Sequence, residues 1–393
     1  FFHEDCRSQT KGARVKKLSQ GRKYKQYGWL IFILIFYIVV KMVINSEPLI
    51  SISNSSLKIG LFNFYKKPLA VEPEYQFALR PLIQISAYQT DLTGNHPLKP
   101  FSNADQHGVR HWLGTDKLGR DVLAGFIGGF ELALIISLSV GILSGLITVL
   151  AGAMGAYYRR YPKKTTKLRR FILVICLVKF VFLSAWYLLG IYSIIPFIMF
   201  TLILLGAVIL ILKLPIKSNN VNVTIPISSF NRRFLEFFQP IPDLIFLMLF
   251  ALLFERMSLT GLIFILIILR VPYGSYYLQS LAHQFVHKQH IDQAKSMGLS
   301  SMRIVFQHLI PLMIPGTAVF MVLSGSRAVL SESALAFLGI GPTGDYITWG
   351  SMIRLGLTNL DMWWVSFFPI LGLVLLSLVY QKMAKAFQKV QAK

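Results

Sequence analysis

The segment "IDQAKSMGLSSMRIVFQHLIPLMIP", residues 291–315, lies between two strongly apolar runs. Residues 286–297 favour a helix, with Asp292 near its start, where a negative charge suits the helix dipole. Gly298 fits the left-handed position that ends such a helix, and Ser300 is placed to cap the next one. Met302, Val305, Phe306 and Leu309 recur at helical spacing and form an apolar face. Pro311 and Pro315 fall where this second helix enters the apolar run, and are expected to bend it. The local reading is a short polar helix across the mouth of a membrane protein, joined by a glycine turn to a transmembrane helix. Two roles fit such a knob: insertion into a groove on a soluble partner, or a plain interfacial loop.

Composition supports a membrane protein. The chain has 393 residues, is 54% hydrophobic and 15% charged, and has a mean hydropathy of +0.57. Apolar runs of about 20 residues with few charges read as transmembrane helices. No run has the short apolar core and small-residue cleavage site of a signal peptide, so the first span, 29–44, is expected to stay as an anchor. The net charge of +23 would point to nucleic acid in a soluble protein. Here its distribution matters more. Lys and Arg number eight in 1–28, seven in 159–170, four in 213–233 and four in 382–393. Short loops on the other side, near 190–193, 255–260 and 331–362, hold none, Arg256 and Arg354 respectively. That asymmetry predicts a multi-pass protein with both termini in the cytoplasm, and no nucleic-acid partner. Cys6 and Cys176 form no metal or disulfide pattern.

The expected organisation follows from these runs. Residues 1–28 are a basic cytoplasmic tail, 29–44 the first span and 45–121 an external segment with little regular helix. Residues 122–158 read as an interfacial helix, up to about Glu131, followed by a span. Residues 159–229 hold a transmembrane hairpin, with spans at 171–189 and 194–212, and cytoplasmic flanks. Residues 230–385 carry spans near 240–254, 260–280, 309–330 and 363–381, and 386–393 form a cytoplasmic tail. The total is about eight spans in an all-α polytopic fold. The glycines of "GILSG" (141–145), with Gly152 and Gly155, offer surfaces for close helix packing.

Segment 291–311 resembles the coupling-loop signature of ABC importer permeases, a Glu-Ala-Ala triplet followed by a spaced Gly and then Leu-Pro or Ile-Pro. This chain has Asp292-Gln293-Ala294, Gly298 and Ile310-Pro311, so the spacing matches and the triplet departs. "HWLGTDKLGRDVLAG", "VLSESALAFLGIGPTGDYITWGSMI" and "WWVSFFPILGLVLLSLVY" resemble, in order, segments of the second permease subunit of the dipeptide/oligopeptide/nickel importers. The resemblance covers about 111–158 and 230–385. It implies a six-span type I permease core, to which 165–228 adds the inserted hairpin.

The resemblance further implies a bacterial inner-membrane subunit for peptide import by alternating access. Its partners would be a sister permease, two ABC ATPases, an external substrate-binding protein and membrane lipid. The coupling loop, 286–304, would meet the ATPases through Asp292, Gln293, Ala294 and Gly298, with Pro311 at the membrane entry. The chain has no G-x-x-x-x-G-K-[ST] loop, so it is expected to bind no cofactor itself, with ATP and Mg on the ATPases, and to have no catalytic residues. A nickel or metal-chelate importer is an alternative reading; others are a stand-alone channel or secondary transporter, and a scaffold subunit.

Further candidate residues belong to two groups. Thr115, Asp116, Gly119, Arg120 and Asp121 form the external motif; there Asp116 is a candidate helix cap, and Arg120 a candidate for pairing with the sister permease or binding protein. Arg270 and Arg327 are cations inside apolar runs, where insertion costs about 2.5–3.5 kcal/mol each. They are expected to face the cavity or an interface, to meet an anionic substrate group, or to pair with Glu332 or a partner's acid. Lys179, in the hairpin, is expected to have a structural partner. His3, His96, His107 and His111 are scattered, and no metal site is expected from them.

Overall fold

A computed structural model of the chain describes residues 110–162, 227–253 (without 239 and 241), 258–341 and 346–391. It also describes short stretches between 50 and 102, and residues 164–165, 202, 206 and 223–224. The expected spans 29–44, 171–189 and 194–212, with Lys179, lie outside the described residues.

Helices dominate. They are α1 (Val122–Arg160), α2 (Ile227–Phe238), α3 (Asp243–Leu253), α4 (Leu259–Val286), α5 (Gln289–Ser296), α6 (Ser301–Phe337), α7 (Trp349–Leu357) and α8 (Trp363–Gln391). Among the described residues, four stretches are long and apolar enough to cross a membrane: Val122–Arg160, Leu259–Val286, Ser301–Phe337 and Leu360–Lys389. The span expected near 240–254 is represented by α3, whose 11 residues extend about 16 Å at 1.5 Å each, short of the bilayer core. Small strands also occur. Ile50–Ser53 (β1) pairs antiparallel with Ser56–Ile59 (β2) and Phe77–Leu79 (β3), and Lys164–Thr165 (β4) pairs with Val223–Thr224 (β5).

The described residues add detail to three expectations. Residues 122–158, expected as an interfacial helix followed by a span, show no break between the two parts. They belong to one uninterrupted helix of 39 residues, because nothing in the run stops it and Glu131 is buried rather than held at a surface. Helix α6 runs on past Pro311 and Pro315, which were expected to bend it, and Val305–Leu309 widens to a π-turn just before Pro311, where the missing proline N–H and the ring disturb the regular ladder. The outer loop expected over 339–361 contains a helix, α7, closed by a capping box of Thr348 and Ser351.

The chain divides into two compact units whose boundaries fall inside α1 and α6. The first is Phe1–Ile142 with Ala318–Lys393. Its core gathers Val122, Ala133, Val329, Trp349, Met352, Trp364, Leu376 and Tyr380. Trp349 is fully buried, donates from Nε1 to the Phe126 carbonyl at 2.9 Å, and stacks on the Phe126 ring at 5.4 Å. The backbones of α1 and α6 approach closely here. A Cβ on Gly141 would lie 2.6 Å from the Met321 carbonyl oxygen, and one on Gly325 would lie 2.6 Å from that of Ser137. The helix-packing use expected of Gly141 is thus realised.

The second unit is Leu143–Thr317. Its core joins the end of α1, α4, α5 and the start of α6 through Ala153, Ala156, Tyr157, Leu278, Ala282, Ile291, Ala294, Ile304, Leu309 and Met313. Gly152 faces the α4 backbone, where a Cβ would sit 2.7 Å from the Gln279 nitrogen. Helix α2 packs along α4.

Candidate functional site

The segment quoted at the outset folds as a helix, a glycine turn and a second helix. Helix α5 buries Ile291 and Ala294 and turns Gln293, Lys295 and Ser296 outward. Its end is a Schellman closure: the Gly298 N–H donates to Lys295 O at 3.0 Å, and the Leu299 N–H to Ala294 O at 3.2 Å. Gly298 takes φ +79°, and a Cβ there would meet nothing within 4 Å. Its conformation therefore selects glycine, with no demand from packing. Ser300 caps α6 by accepting from the Arg303 N–H at 3.4 Å. Pro311 is exposed on α6.

The apolar face expected from Met302, Val305, Phe306 and Leu309 splits in two. Val305 and Leu309 are buried with Ile304, whereas Met302 and Phe306 are half exposed. Periodicity identified the helix but did not show which part of its apolar stripe is covered. With Met297, which is 74% exposed, these residues leave an uncovered apolar rim on the outer side of the turn.

Asp292 does not stand free on this surface. Its Oδ2 accepts from Arg160 Nη2 at 2.7 Å, and its Oδ1 from the Tyr161 hydroxyl. Arg160 Nη1 also donates to the Val286 carbonyl at 2.6 Å, at the end of α4. The Lys295 ammonium lies 3.4 Å from the Tyr161 ring centroid. The Tyr161 hydrogen bond holds the Asp292 carboxyl below its ordinary value of 3.8, with Arg160 adding to the effect. Burial, then the bond to Asp292, pushes the Tyr161 hydroxyl up. A depressed carboxylate contributes stability that is present above its unfolded value and lost as pH falls through the folded one. Amide hydrogen exchange of α5 is therefore expected to show no loss of protection from acidification between about pH 8 and pH 5. Arg160 and Tyr161 escaped the sequence reading because "YYRRY" registered only as a charge marker for topology.

The external motif forms a tight loop in the first unit. Asp116 Oδ1 accepts from the N–H groups of Leu118 and Arg120, both at 2.9 Å, and its Oδ2 bonds Arg120 Nε at 2.7 Å. Arg120 is thus engaged within its own loop. Gly119 takes φ +73°, and Thr115 and Asp121 form a β-bridge. The cap of α1 is Asp121, not Asp116. Asp121 Oδ1 accepts from the Ala124 N–H at 2.7 Å, while Oδ2 bonds His111 Nδ1 at 2.7 Å. Asp116 lies too far before the helix to reach its first amides, and serves the turn instead. Asp121→Ala is expected to destabilise the loop and α1 by about 1–2 kcal/mol, read as a lower melting temperature of the purified protein. Beside the loop is a cavity of about 380 Å³ lined by Arg120, Tyr346, Ser351, Arg354 and Thr358, among others.

The intramembrane ions separate. Arg270 is buried in α4 and bonds Asp243 Oδ2 at 2.7 Å, an acid the sequence reading did not name. Glu332 is buried in the other unit and accepts from Ser333 Oγ at 3.2 Å. Arg327 is exposed on α6.

A family model described as "Binding-protein-dependent transport system inner membrane component" matches residues 224–391, which include α5, the glycine turn and α6. Over these residues the chain is similar to this permease family. It is a multi-pass inner-membrane component. Among curated relatives, the inner membrane ABC transporter permease protein YejE of Escherichia coli is 23% identical, over 93% of this chain and 92% of its own length. The oligopeptide transport system permease protein OppC of Mycobacterium tuberculosis is 24% identical, over 76% of this chain and 79% of its own. A putative peptide transport system permease protein of Brucella suis is 23% identical over 67% of this chain, which spans 66% of that relative's length.

Proposed function

We propose that this permease is the membrane-spanning subunit of an ATP-driven importer of di- or oligopeptides, working by alternating access. The observation that carries the reading is the α5–Gly298–α6 turn. It is a hook seated on a buried core, closed by a Schellman motif, with Met297, Met302 and Phe306 left uncovered. An apolar rim of this kind fits a groove on a soluble ATPase. Gln293, Gly298 and the rim residues are the contact surface; Ala294, buried beneath it, seats the helix. In this reading the hook faces the cytoplasm, two ATPases hydrolyse ATP with Mg, and a sister permease and an external binding protein complete the assembly. The peptide class is supported by the names of the relatives. The chain itself carries no catalytic role.

The test is purification from its own cells in mild detergent, with mass spectrometry of the companions, followed by peptide uptake in vesicles. Two ATPases, a sister permease and ATP-dependent uptake of a tripeptide are the expected result. A chain that emerges alone, or a complex that takes up nickel and no peptide, would contradict it.

A further inference from the structure

We propose that Arg160 and Tyr161 are positioning residues of the coupling turn: they clasp Asp292 inside the chain, so Asp292 anchors α5 rather than touching the partner ATPase. The inference rests on the coupling reading above. Both carboxylate oxygens of Asp292 are taken, one by a guanidinium and one by a phenol. An exposed ion pair by itself contributes little. This one differs in three ways. The Arg160 side chain is only 23% exposed, against 46% for that of Asp292. Its planar fork serves two acceptors, Asp292 and the Val286 carbonyl, and so ties the end of α1 to the end of α4 and the first turn of α5. The Val286 carbonyl belongs to the last turn of α4, where helix geometry leaves acceptors open and favours a cation.

Tyr161 completes the arrangement. Its hydroxyl holds the second oxygen and its ring carries the Lys295 ammonium, one turn further along α5. The inner face of α5 is meanwhile fixed by Ile291 and Ala294 in the core. Helix α5 is thus held along its buried face and by a charge-assisted link at its start. A push on its outer face passes to the ends of α1 and α4 instead of rocking α5. The shorter acid, Asp in place of the Glu of the resembling triplet, suits a partner already within 2.7 Å.

The test uses the full complex and four variants of this chain: Arg160→Glu, Asp292→Arg, the double swap and Arg160→Lys. Three quantities are read: peptide uptake per complex, the amount of ATPase that co-purifies, and hydrogen exchange of α5 amides. Each single charge reversal is expected to lower uptake about fivefold or more and to speed α5 exchange, with ATPase still bound; the swap restores both to within about twofold. Arg160→Lys, with no fork, recovers less than the swap. The proposal is overturned if the single reversals leave uptake and exchange unchanged, or if Asp292→Arg releases the ATPase and the swap does not bring it back. Absence of ATPase from the unaltered complex would sink the coupling reading instead, and the exchange data would still decide the clasp.

Discussion

Gly298→Val is expected to reduce ATP-driven uptake by about 5- to 30-fold while leaving the amount of chain in the membrane unchanged. The argument is conformational. At φ +79° an L-residue bears the cost of a left-handed backbone, about 1–2 kcal/mol, and a β-branched side chain bears more. No neighbouring atom lies within 4 Å of the added Cβ, so no core contact is disturbed and the cost falls on the turn alone. The Schellman bonds to Ala294 and Lys295 would open, and the angle between α5 and α6 would no longer be fixed. Gly298→Asn separates this from a packing effect, since asparagine tolerates the left-handed region and should keep most uptake. Full uptake in the valine variant would show that the turn transmits nothing.

The largest effect on stability is expected at Trp349. Trp349→Ala removes a side chain that is 2% exposed, its bond to the Phe126 carbonyl and its stack on the Phe126 ring. Loss of a buried aromatic of this size costs about 3–5 kcal/mol. The surroundings are built for the indole. A Cβ on Gly129 would lie 2.4 Å from its Cδ1, and one on Gly372 would lie 3.0 Å from its Cζ2. Helix α7 is pressed close by Gly350 against the Ser333 carbonyl, which leaves little room for collapse into the void. Thermal unfolding of the purified protein and its level in the membrane both report the loss. An unchanged melting temperature for Trp349→Ala would refute this account of the first unit.

Much of the α5–Gly298–α6 turn was legible in the sequence because its chemistry is local. A glycine at a left-handed helix end and a serine three residues before Arg303 act through neighbours in the chain, and spacing alone identifies them. The parts that were not legible depend on distant residues. Asp292 meets Arg160 across 132 positions, and Trp349 meets Phe126 across 223. Arg270 finds Asp243, an acid that a search within one helix turn does not reach. Charge and hydropathy place such residues in a span or a loop without naming the partner. The same limit explains the division of Met302 and Phe306 from Val305 and Leu309: a helical period shows that a stripe exists, and only the packed neighbours decide how much of it is covered. In the external motif both aspartates are alike in composition, and their separate roles follow from which one stands next to Val122.

The most direct test of the account is a cysteine placed at Met302, in a chain whose Cys6 and Cys176 have been replaced, followed by cross-linking in native membranes. The account predicts a cross-link to an ATPase subunit that changes in yield when a non-hydrolysable ATP analogue is added. A cysteine at Met302 that links to no ATPase in either condition, while the complex still transports, would contradict it.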